Sequence, residues 1–322
     1  MIVTVTANTT IDQVLFVPSW ELNRTLRATR QIYSLGGKPT DASWILGEMG
    51  ISSLALGFCA GEMGEKARRM LHAKNVITDF IEVGGQTRLN TVLVFEDGSG
   101  STTITTSSLE VEPQHVADLM SRFQSSLTKA RVVVVGGTLP VGLRPEFYID
   151  IIAAAKRAGA TVIFDAAEPN LSAGLRASPD YIKPNIDELS GLVGRPINTR
   201  DDAYHAGRQI YAQYGTCPVI TMGSAGGLAV LPDRAYYIPP LDIRVVGASG
   251  AGDAVLAGLA AAVNRGQPIE EGLRLGFAAA AAVCLTEGTA QCDRAEIERF
   301  IPQIDLQPFE PADTRAEVSD AG

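Results

Sequence analysis

Short hydrophobic runs alternate with amphipathic segments along almost the whole chain. Runs rich in β-branched residues predict strands at 2–6, 53–57, 131–135, 161–165, 181–183, 218–222 and 227–231. Segments with a helical period predict helices at 41–49, 62–73, 113–123, 146–158, 186–193, 200–214 and 254–263. Because uninterrupted apolar strands are typical of parallel sheets covered on both faces, the pattern predicts a layered α/β fold with a central, mostly parallel sheet.

Three segments depart from this alternation. Residues 12–35 and 88–106 alternate polar and apolar positions without a helical period, which predicts a small additional β-sheet that forms a lid over a site. Residues 306–322 are acidic, rich in proline and aperiodic, which predicts a disordered tail after a single domain spanning residues 1–305.

Composition disfavours some classes of binding partner and indicates the type of cellular compartment. The formal net charge of −9 disfavours nucleic acid and anionic membranes. The four cysteines form no CxxC pair, which favours free thiols in a reducing compartment over disulfides or a zinc site. The first residues have the pattern of a strand rather than of a targeting signal, and the apolar run at 275–285 is too short to cross a bilayer. We therefore expect a cytoplasmic protein.

The segment most informative about chemistry is Gly247-Ala248-Ser249-Gly250-Ala251-Gly252-Asp253, which lies between a strand-like run and an alanine-rich helix. Small residues at a helix start allow backbone N–H groups to surround an anion, and phosphate is the first candidate. Asp253 would repel such an anion unless it accepts a proton from an attacking hydroxyl, which suggests phosphoryl transfer. The alternative is a capping carboxylate in a tight glycine turn.

Further motifs have the order and spacing of one family. They are Asn8-Thr9-Thr10-Ile11-Asp12, Gly36-Gly37-Lys38, Thr87-Arg88-Leu89-Asn90, Gly137-Thr138-Leu139-Pro140, Lys183-Pro184-Asn185-Ile186-Asp187-Glu188 and Gly250-Ala251-Gly252-Asp253. Over about residues 1 to 300 the chain resembles the ribokinase-like, PfkB-type carbohydrate kinases. It is most similar to the branch that contains 1-phosphofructokinase and tagatose-6-phosphate kinase.

The resemblance implies a ribokinase-like three-layer sandwich and an ATP-dependent transfer of phosphate to a hydroxyl of a sugar phosphate. It implies that Asp253 is the catalytic base and that Gly250, Ala251 and Gly252 form the anion hole. The residues that it implies for the acceptor are Asp12, Gly36, Gly37, Lys38, Asp41, Arg88, Asn90 and Thr138. Those that it implies for the nucleotide are Asn185, Thr221, Gly223, Gly226, Gly250 and Gly252.

Magnesium and self-association are also expected from the resemblance. It implies that Asn185 and Glu188 hold Mg²⁺, with water between them and the ion, and hard oxygen ligands suit that cation. It is also compatible with a homodimer formed through the lid sheet. Without the surrounding motifs, Glu188 reads as a solvated helix face and Arg88 as a solubilising charge on an edge strand.

Two residues depart from the family pattern Gly-Gly-Lys-Gly-x-Asn. Pro39 removes a backbone N–H group, and Asp41 replaces an amide with a side chain that only accepts hydrogen bonds when ionised. An anion close to a sugar phosphate is unfavourable, so a kinase of a free sugar, polyol or nucleoside stays an alternative. A non-catalytic ligand-binding protein on a kinase fold is the alternative from another class.

Overall fold

The computed structural model describes residues 1–106 and 109–312. Its strands are β1 (Ile2–Thr6), β2 (Thr10–Val17), β3 (Arg30–Gly36), β4 (Ser53–Cys59), β5 (Ile77–Glu82), β6 (Gly84–Gly85), β7 (Arg88–Phe95), β8 (Gly100–Ile104), β9 (Leu109–Glu110), β10 (Val132–Gly136), β11 (Thr161–Asp165), β12 (Tyr181–Ile182), β13 (Cys217–Thr221), β14 (Gly227–Val230), β15 (Ala235–Ile238) and β16 (Gln307–Pro308). Its α-helices are α1 (Lys38–Glu48), α2 (Gly61–His72), α3 (Pro113–Leu127), α4 (Glu146–Arg157), α5 (Asn170–Leu175), α6 (Ile186–Val193), α7 (Arg200–Tyr214), α8 (Ala251–Arg265), α9 (Ile269–Val283) and α10 (Arg294–Phe300).

A ten-stranded sheet forms the centre of the molecule, in the order β16-β15-β14-β13-β12-β11-β10-β1-β4-β5. The pairings from β13 to β5 are parallel, whereas β14, β15 and β16 add antiparallel strands at one edge. The prediction of a layered α/β fold with a mostly parallel sheet is confirmed.

Helices cover both faces of this sheet. Side chains along each strand alternate between the faces, so Val3 and Val5 of β1 pack into one buried cluster while Ile2 packs into the other. The first cluster lies beneath helices that include α3, α4 and α7, and the second beneath α1, α8, α9 and α10. The close pairing of α8 and α9 follows from their glycines, because a Cβ on Gly258 would lie 2.2 Å from the Gly276 nitrogen.

The smaller sheet has four strands in the order β3-β2-β7-β8. It confirms the small additional sheet predicted from 12–35 and 88–106. A third buried cluster, which includes Ile11, Leu35 and Leu71, joins this sheet to α2 and to the edge of the central sheet. Polar side chains near the start of β2, the end of β3 and the start of β7 consequently face the carboxyl ends of the central strands.

The end of the chain differs from the predicted tail. Gln307–Pro308 pairs with β15, the Phe309 N–H donates to the carbonyl of Ala235 at 2.9 Å, and the Phe309 ring packs on Tyr204. A two-residue strand is too short to give a periodic pattern, which is why the sequence reads as a tail there. The rest of the predicted tail, from residue 313, lies outside the described residues.

The longest helices, among them α8 and α9, contain 15 residues. Within residues 1–106 and 109–312, no helix combines the length and hydropathy needed to cross a membrane.

Candidate active site

The start of α8 lies at the carboxyl ends of the central strands, the edge at which α/β sheets bind ligands. Gly250 precedes the helix with φ 83°, and a Cβ there would lie 2.4 Å from the Ala290 nitrogen, so glycine is required. The Ala251 N–H donates to the carbonyl of Ala248 at 3.2 Å. Within the described part of the chain, the N–H groups of Gly250 and Gly252 have no protein acceptor. Two backbone donors are therefore available to an anion.

Asp253 occupies the first turn of α8 but does not cap it, since the described helix start has no side-chain capping hydrogen bond. Burial and the neighbouring Asp165 carboxylate raise the pKa of Asp253 to about 7, against the opposing effects of Lys183 and Lys38. A carboxyl group with such a pKa can exchange a proton near neutral pH. The missing capping contact and the raised pKa of Asp253 therefore favour a general base over the capping alternative.

Asp165 is the centre of a buried ion cluster that the sequence analysis did not identify. Its Oδ1 accepts from the Lys38 ammonium at 2.6 Å, and its Oδ2 lies 3.0 Å from the Lys183 Nζ. Burial opposes the charge on Asp165, but Lys183 and Lys38 outweigh it and lower the pKa of that carboxyl. The signal that could have revealed Asp165 is its position as the last residue of a buried strand, at the ligand-binding edge.

Lys38 connects this cluster to Glu188. The Lys38 Nζ donates to Glu188 Oε1 at 2.9 Å, and a Cβ on Gly252 would lie 3.1 Å from the Nζ of Lys183. Burial alone would lower the pKa of Lys38, but Asp165 and Glu188 outweigh it and raise that pKa. Two ammonium groups thus lie near the free backbone donors of α8, where a phosphate would find positive charge.

Asn185 and Glu188 form a capping box at the start of α6. Asn185 Oδ1 accepts from the Glu188 N–H at 2.8 Å, and Glu188 Oε2 accepts from the Asn185 N–H at 2.9 Å. Glu188 is therefore not a solvated helix face, because each of its oxygens already accepts one hydrogen bond and the side chain is held in place. Within the described ranges, no cluster of three or more histidine, cysteine or acidic residues could hold a metal by itself.

This donor set fits magnesium near a bound nucleotide. Mg²⁺ keeps much of its water shell and is held by one or two carboxylates together with phosphate oxygens. Glu188 can accept from a metal-bound water while it keeps its backbone contact. Asp165 supplies a second carboxylate at the same edge of the sheet.

The predicted acceptor residues share one cavity of about 260 Å³ with Asp253. They are Asp12, Gly36, Gly37, Lys38, Asp41, Arg88, Asn90 and Thr138. The carboxylate of Asp12 is oriented by Asn90 at 2.9 Å and by the hydroxyl of Thr289 at 2.9 Å. Burial raises the pKa of Asp12, and these two hydrogen bonds and Arg88 oppose the rise. Thr289 is a contact that the sequence analysis did not assign.

Two of the glycines that line this cavity, Gly36 and Gly37, are required for steric reasons. A Cβ on Gly36 would lie 2.9 Å from Asp12 Oδ1, and one on Gly37 would lie 2.9 Å from the Thr6 methyl group. Gly37 also has φ 104°, which L side chains rarely adopt, where the chain turns from β3 into α1. Pro39 falls in the first turn of α1, a position that tolerates the missing N–H.

Arg88 lies where this cavity meets a second one of about 220 Å³. Its Nη2 donates to the hydroxyl of Thr10 at 2.8 Å and to that of Thr138 at 3.4 Å. Asn8, Arg88 and Thr138 line both cavities. The guanidinium is therefore held at a junction and is not an exposed edge charge.

Four of the predicted nucleotide residues, Asn185, Thr221, Gly223 and Gly226, lie at the start of α6, at the end of β13 and in the turn that follows it. Thr221 ends β13 and bridges to Asn185, and a short 3₁₀ turn at Gly223–Ala225 follows. Gly226 has φ 86°, and a Cβ there would lie 2.1 Å from the carbonyl oxygen of Ile238. Gly250 lines the acceptor cavity, whereas these four residues and Gly252 do not. The contact of the predicted nucleotide residues with a nucleotide stays a prediction.

Comparisons with known proteins agree with this geometry. The family model described as pfkB family carbohydrate kinase matches residues 2–296. The chain is 29% identical to a 1-phosphofructokinase from Bacillus subtilis, over 94% of this chain and 98% of that protein. It is 26% identical to a tagatose-6-phosphate kinase from Staphylococcus epidermidis, over 95% and 99%. The structure of phosphofructokinase-2 from Escherichia coli in complex with substrates and products superposes with a TM-score of 0.86 and 24% identity, over 94% and 99%.

The fold and these relatives define an enzyme of the ribokinase-like class, a kinase that transfers phosphate to an alcohol group. More particularly, the chain belongs to the pfkB family of carbohydrate kinases. Membership in a kinase family implies ATP as the phosphate donor.

Proposed function

We propose that this enzyme phosphorylates a hydroxyl of a ketohexose phosphate, as the names of its relatives 1-phosphofructokinase and tagatose-6-phosphate kinase suggest. The observation that carries the proposal is the position of Arg88 between the two cavities. A sugar in the larger cavity would place a hydroxyl near Asp253, and its existing phosphate would reach the guanidinium. Arginine forms paired, charge-assisted hydrogen bonds with phosphate, which suits this task.

The chemistry follows from the residues around α8. Asp253 accepts the proton of the attacking hydroxyl as the oxygen forms its bond to the γ-phosphorus of ATP and the bond to the leaving diphosphate breaks. The N–H groups of Gly250 and Gly252 stabilise the negative charge on the transferred phosphoryl oxygens. Lys183 and Lys38 give up part of their contact with Asp165 and bind the phosphates of the nucleotide. When bound, Mg²⁺ would neutralise phosphate charge near Glu188 and Asp165.

A panel of acceptors tests the proposal directly. We expect turnover with fructose 1-phosphate, tagatose 6-phosphate or fructose 6-phosphate to exceed turnover with free fructose, free sugars and nucleosides, measured by ADP release. A higher kcat/KM for an unphosphorylated acceptor would contradict the sugar-phosphate proposal and leave the kinase class intact.

Replacing Arg88 with alanine is expected to raise KM for the phosphorylated acceptor by about 10- to 150-fold, which corresponds to roughly 1.5 to 3 kcal/mol for a lost charge-assisted hydrogen bond. The KM for ATP should stay within about twofold, because the guanidinium lies on the acceptor side. Initial rates at varied acceptor concentration measure the effect. Arg24→Ala is the matched control, since Arg24 pairs with Glu21 on the exterior. An equal loss for phosphorylated and free acceptors would count against a phosphate subsite.

Replacing Glu188 with glutamine is expected to raise the magnesium concentration for half-maximal activity by about 10- to 100-fold, since an amide is a weaker partner for the hydrated cation. Glutamine can keep the capping contact with the Asn185 N–H, so the helix start should persist. Titration of magnesium at fixed ATP measures the shift. The control is Asp187→Asn, an exposed neighbour on the same helical turn. Identical titrations for both variants would remove Glu188 from the proposed metal site.

The expected homodimer through the smaller sheet also stays a prediction. Trp20 and Ile104 expose about half of their surfaces beside the strands of that sheet. Sedimentation equilibrium would test it, and a monomer at all concentrations would contradict it.

A further inference from the structure

Asp41 is a buried carboxyl group that the proposed reaction does not use directly. It lies in the first turn of α1 with 2% of its surface exposed, and its side chain makes a hydrogen-bonding contact with Asp253. Its backbone is fixed, because its N–H donates to the carbonyl of Gly37 at 2.9 Å. The adjacent Thr40 hydroxyl donates to Thr6 at 2.8 Å and holds this turn against β1. Asp41 therefore has a fixed position beside the proposed base.

Two facing carboxyl groups form a hydrogen bond only if one of them carries a proton. In the described part of the chain, Asp41 Oδ1 is buried and has no donor partner. Pro39, two residues earlier, lacks the N–H group that would otherwise help the start of α1 to stabilise an anion. A buried carboxylate without donors is strongly unfavourable, whereas a neutral acid that donates its proton is not.

The surroundings of the pair decide which member holds the proton. Asp253 has the Asp165 carboxylate as an unfavourable neighbour, but the Lys183 and Lys38 ammonium groups also act on it and favour its charge. The charged groups that act on Asp41 are the carboxyls of Asp253 and Asp12, which are both acidic. Burial and these neighbours raise the pKa of Asp41 well above its usual range. The negative charge of the pair is consequently favoured on Asp253.

We propose that Asp41 is a positioning residue, held as a neutral carboxylic acid that donates a hydrogen bond to the Asp253 carboxylate. The inference rests on the proposed function, in which Asp253 is the base. One Asp253 oxygen accepts from Asp41, and this orients the other oxygen toward the acceptor hydroxyl. During transfer the hydroxyl proton moves to Asp253 while the oxygen binds phosphorus, and Asp41 keeps its own proton. The acid thus supplies the neutral donor that an amide would supply, and it adds no charge beside a sugar phosphate.

A bell-shaped pH dependence follows from this arrangement. Activity rises as Asp253 loses its proton, and it falls at alkaline pH when Asp41 loses its own proton and two anions face each other. The groups that modulate these limbs are Asp12 and Asp165, which oppose ionisation, and Lys38 and Lys183, which favour it. Arg88 faces Asp12 and acts on the pair only through it.

The pH dependence of kcat, from about pH 6 to about pH 10 with saturating MgATP and the best acceptor of the panel, tests the inference. We expect Asp41→Asn to keep kcat at neutral pH within about threefold and to lose the alkaline limb, because asparagine donates without titrating. Asp41→Ala should lower kcat by about tenfold or more, because it removes the donor. Rescue by asparagine but not by alanine supports a positioning role, and the simultaneous loss of the alkaline limb in Asp41→Asn distinguishes it from simple filling of space.

Asp12→Asn is the matched control within the same cavity. It should raise KM for the acceptor and keep an alkaline limb, which moves toward lower pH because the Asp12 charge no longer opposes ionisation of Asp41. An Asp41→Asn variant that loses more than about tenfold in kcat at neutral pH would show that Asp41 acts as an anion, for example toward an additional hydroxyl or amino group of the acceptor. An alkaline limb that persists in Asp41→Asn would equally overturn the proposal.

Infrared spectroscopy gives a readout that needs no acceptor. The wild-type enzyme above neutral pH should show the carbonyl band of a protonated carboxyl group, and Asp41→Asn should lack it. The same band should persist in Asp253→Asn, since Asp41 still carries the proton there. Its absence from the wild-type enzyme overturns the proposal even if an Asp41 variant fails to fold. Failure of every acceptor in the panel while the band is present would contradict the proposed function alone.

Discussion

Asp253→Asn is expected to lower kcat by about 100- to 10,000-fold, the range that general-base catalysis contributes. The amide keeps the shape of the side chain but cannot accept the hydroxyl proton. The wild-type kcat/KM should rise with pH through the pKa of Asp253 near 7, and the variant should lack this rise. Steady-state rates and a pH profile with the best acceptor measure both effects.

Binding of ATP should change little in the same variant, because Gly250, Gly252 and the lysines are intact. Equilibrium binding of a non-hydrolysable ATP analogue checks this expectation. Asp293→Asn is the matched control for a capping role, since Asp293 caps α10 by accepting from the Ala295 N–H at 2.7 Å. If Asp253→Asn keeps more than about a tenth of the wild-type kcat, Asp253 is not the base.

Asp165→Asn is expected to lower the free energy of unfolding by about 3 to 5 kcal/mol, the cost of leaving a buried charge without its partner. Asp165 is the only salt-bridge partner of Lys183 within the described residues, and 4% of Lys183 is exposed. Because the pKa of Asp165 is lowered, the stability that it contributes is present above the unfolded-state pKa of about 4 and is lost as pH falls further. Urea unfolding at neutral pH and at decreasing pH measures both effects.

Asp79→Asn provides the comparison for that experiment. Asp79 pairs with Arg122, and nearly half of each side chain is exposed, so the loss should be within about 1 kcal/mol. Equal losses for the two variants would mean that burial of the Asp165 cluster has no energetic consequence.

Much of the fold could be predicted because the sheet is largely buried on both faces. Strands such as β10 and β11 are continuous apolar runs that leave little ambiguity. The start of α1 at Lys38 was harder to place, because a glycine with positive φ and a proline open that helix where the sequence reads as a loop. Short edge strands such as β16 form through pairing with β15, and their own sequence carries no signal.

In the candidate site, too, some residues could be predicted from the sequence and others could not. Residues in motifs, such as Asp12, Arg88 and Asp253, line one cavity, and the roles that the resemblance implies for them stay predictions. The ion pairs of Asp165 could not be predicted, because their partners are 127 and 18 residues away and meet only through the sheet. The protonation of Asp41 also depends on tertiary burial. In the sequence Asp41 appears as an anion that would disfavour a sugar phosphate, whereas its surroundings in the fold favour a neutral acid.

The hydrogen bond between Asp12 and Thr289 joins residues 277 positions apart. During synthesis on the ribosome, the smaller sheet and most central strands can be made long before Thr289 has emerged. The acceptor cavity can therefore be completed only after the segment to Thr289 has been made, and truncated chains that lack α8 and the segment to Thr289 should be inactive. Activity in this enzyme consequently reports synthesis as far as Thr289, whereas the circular dichroism of its sheet does not.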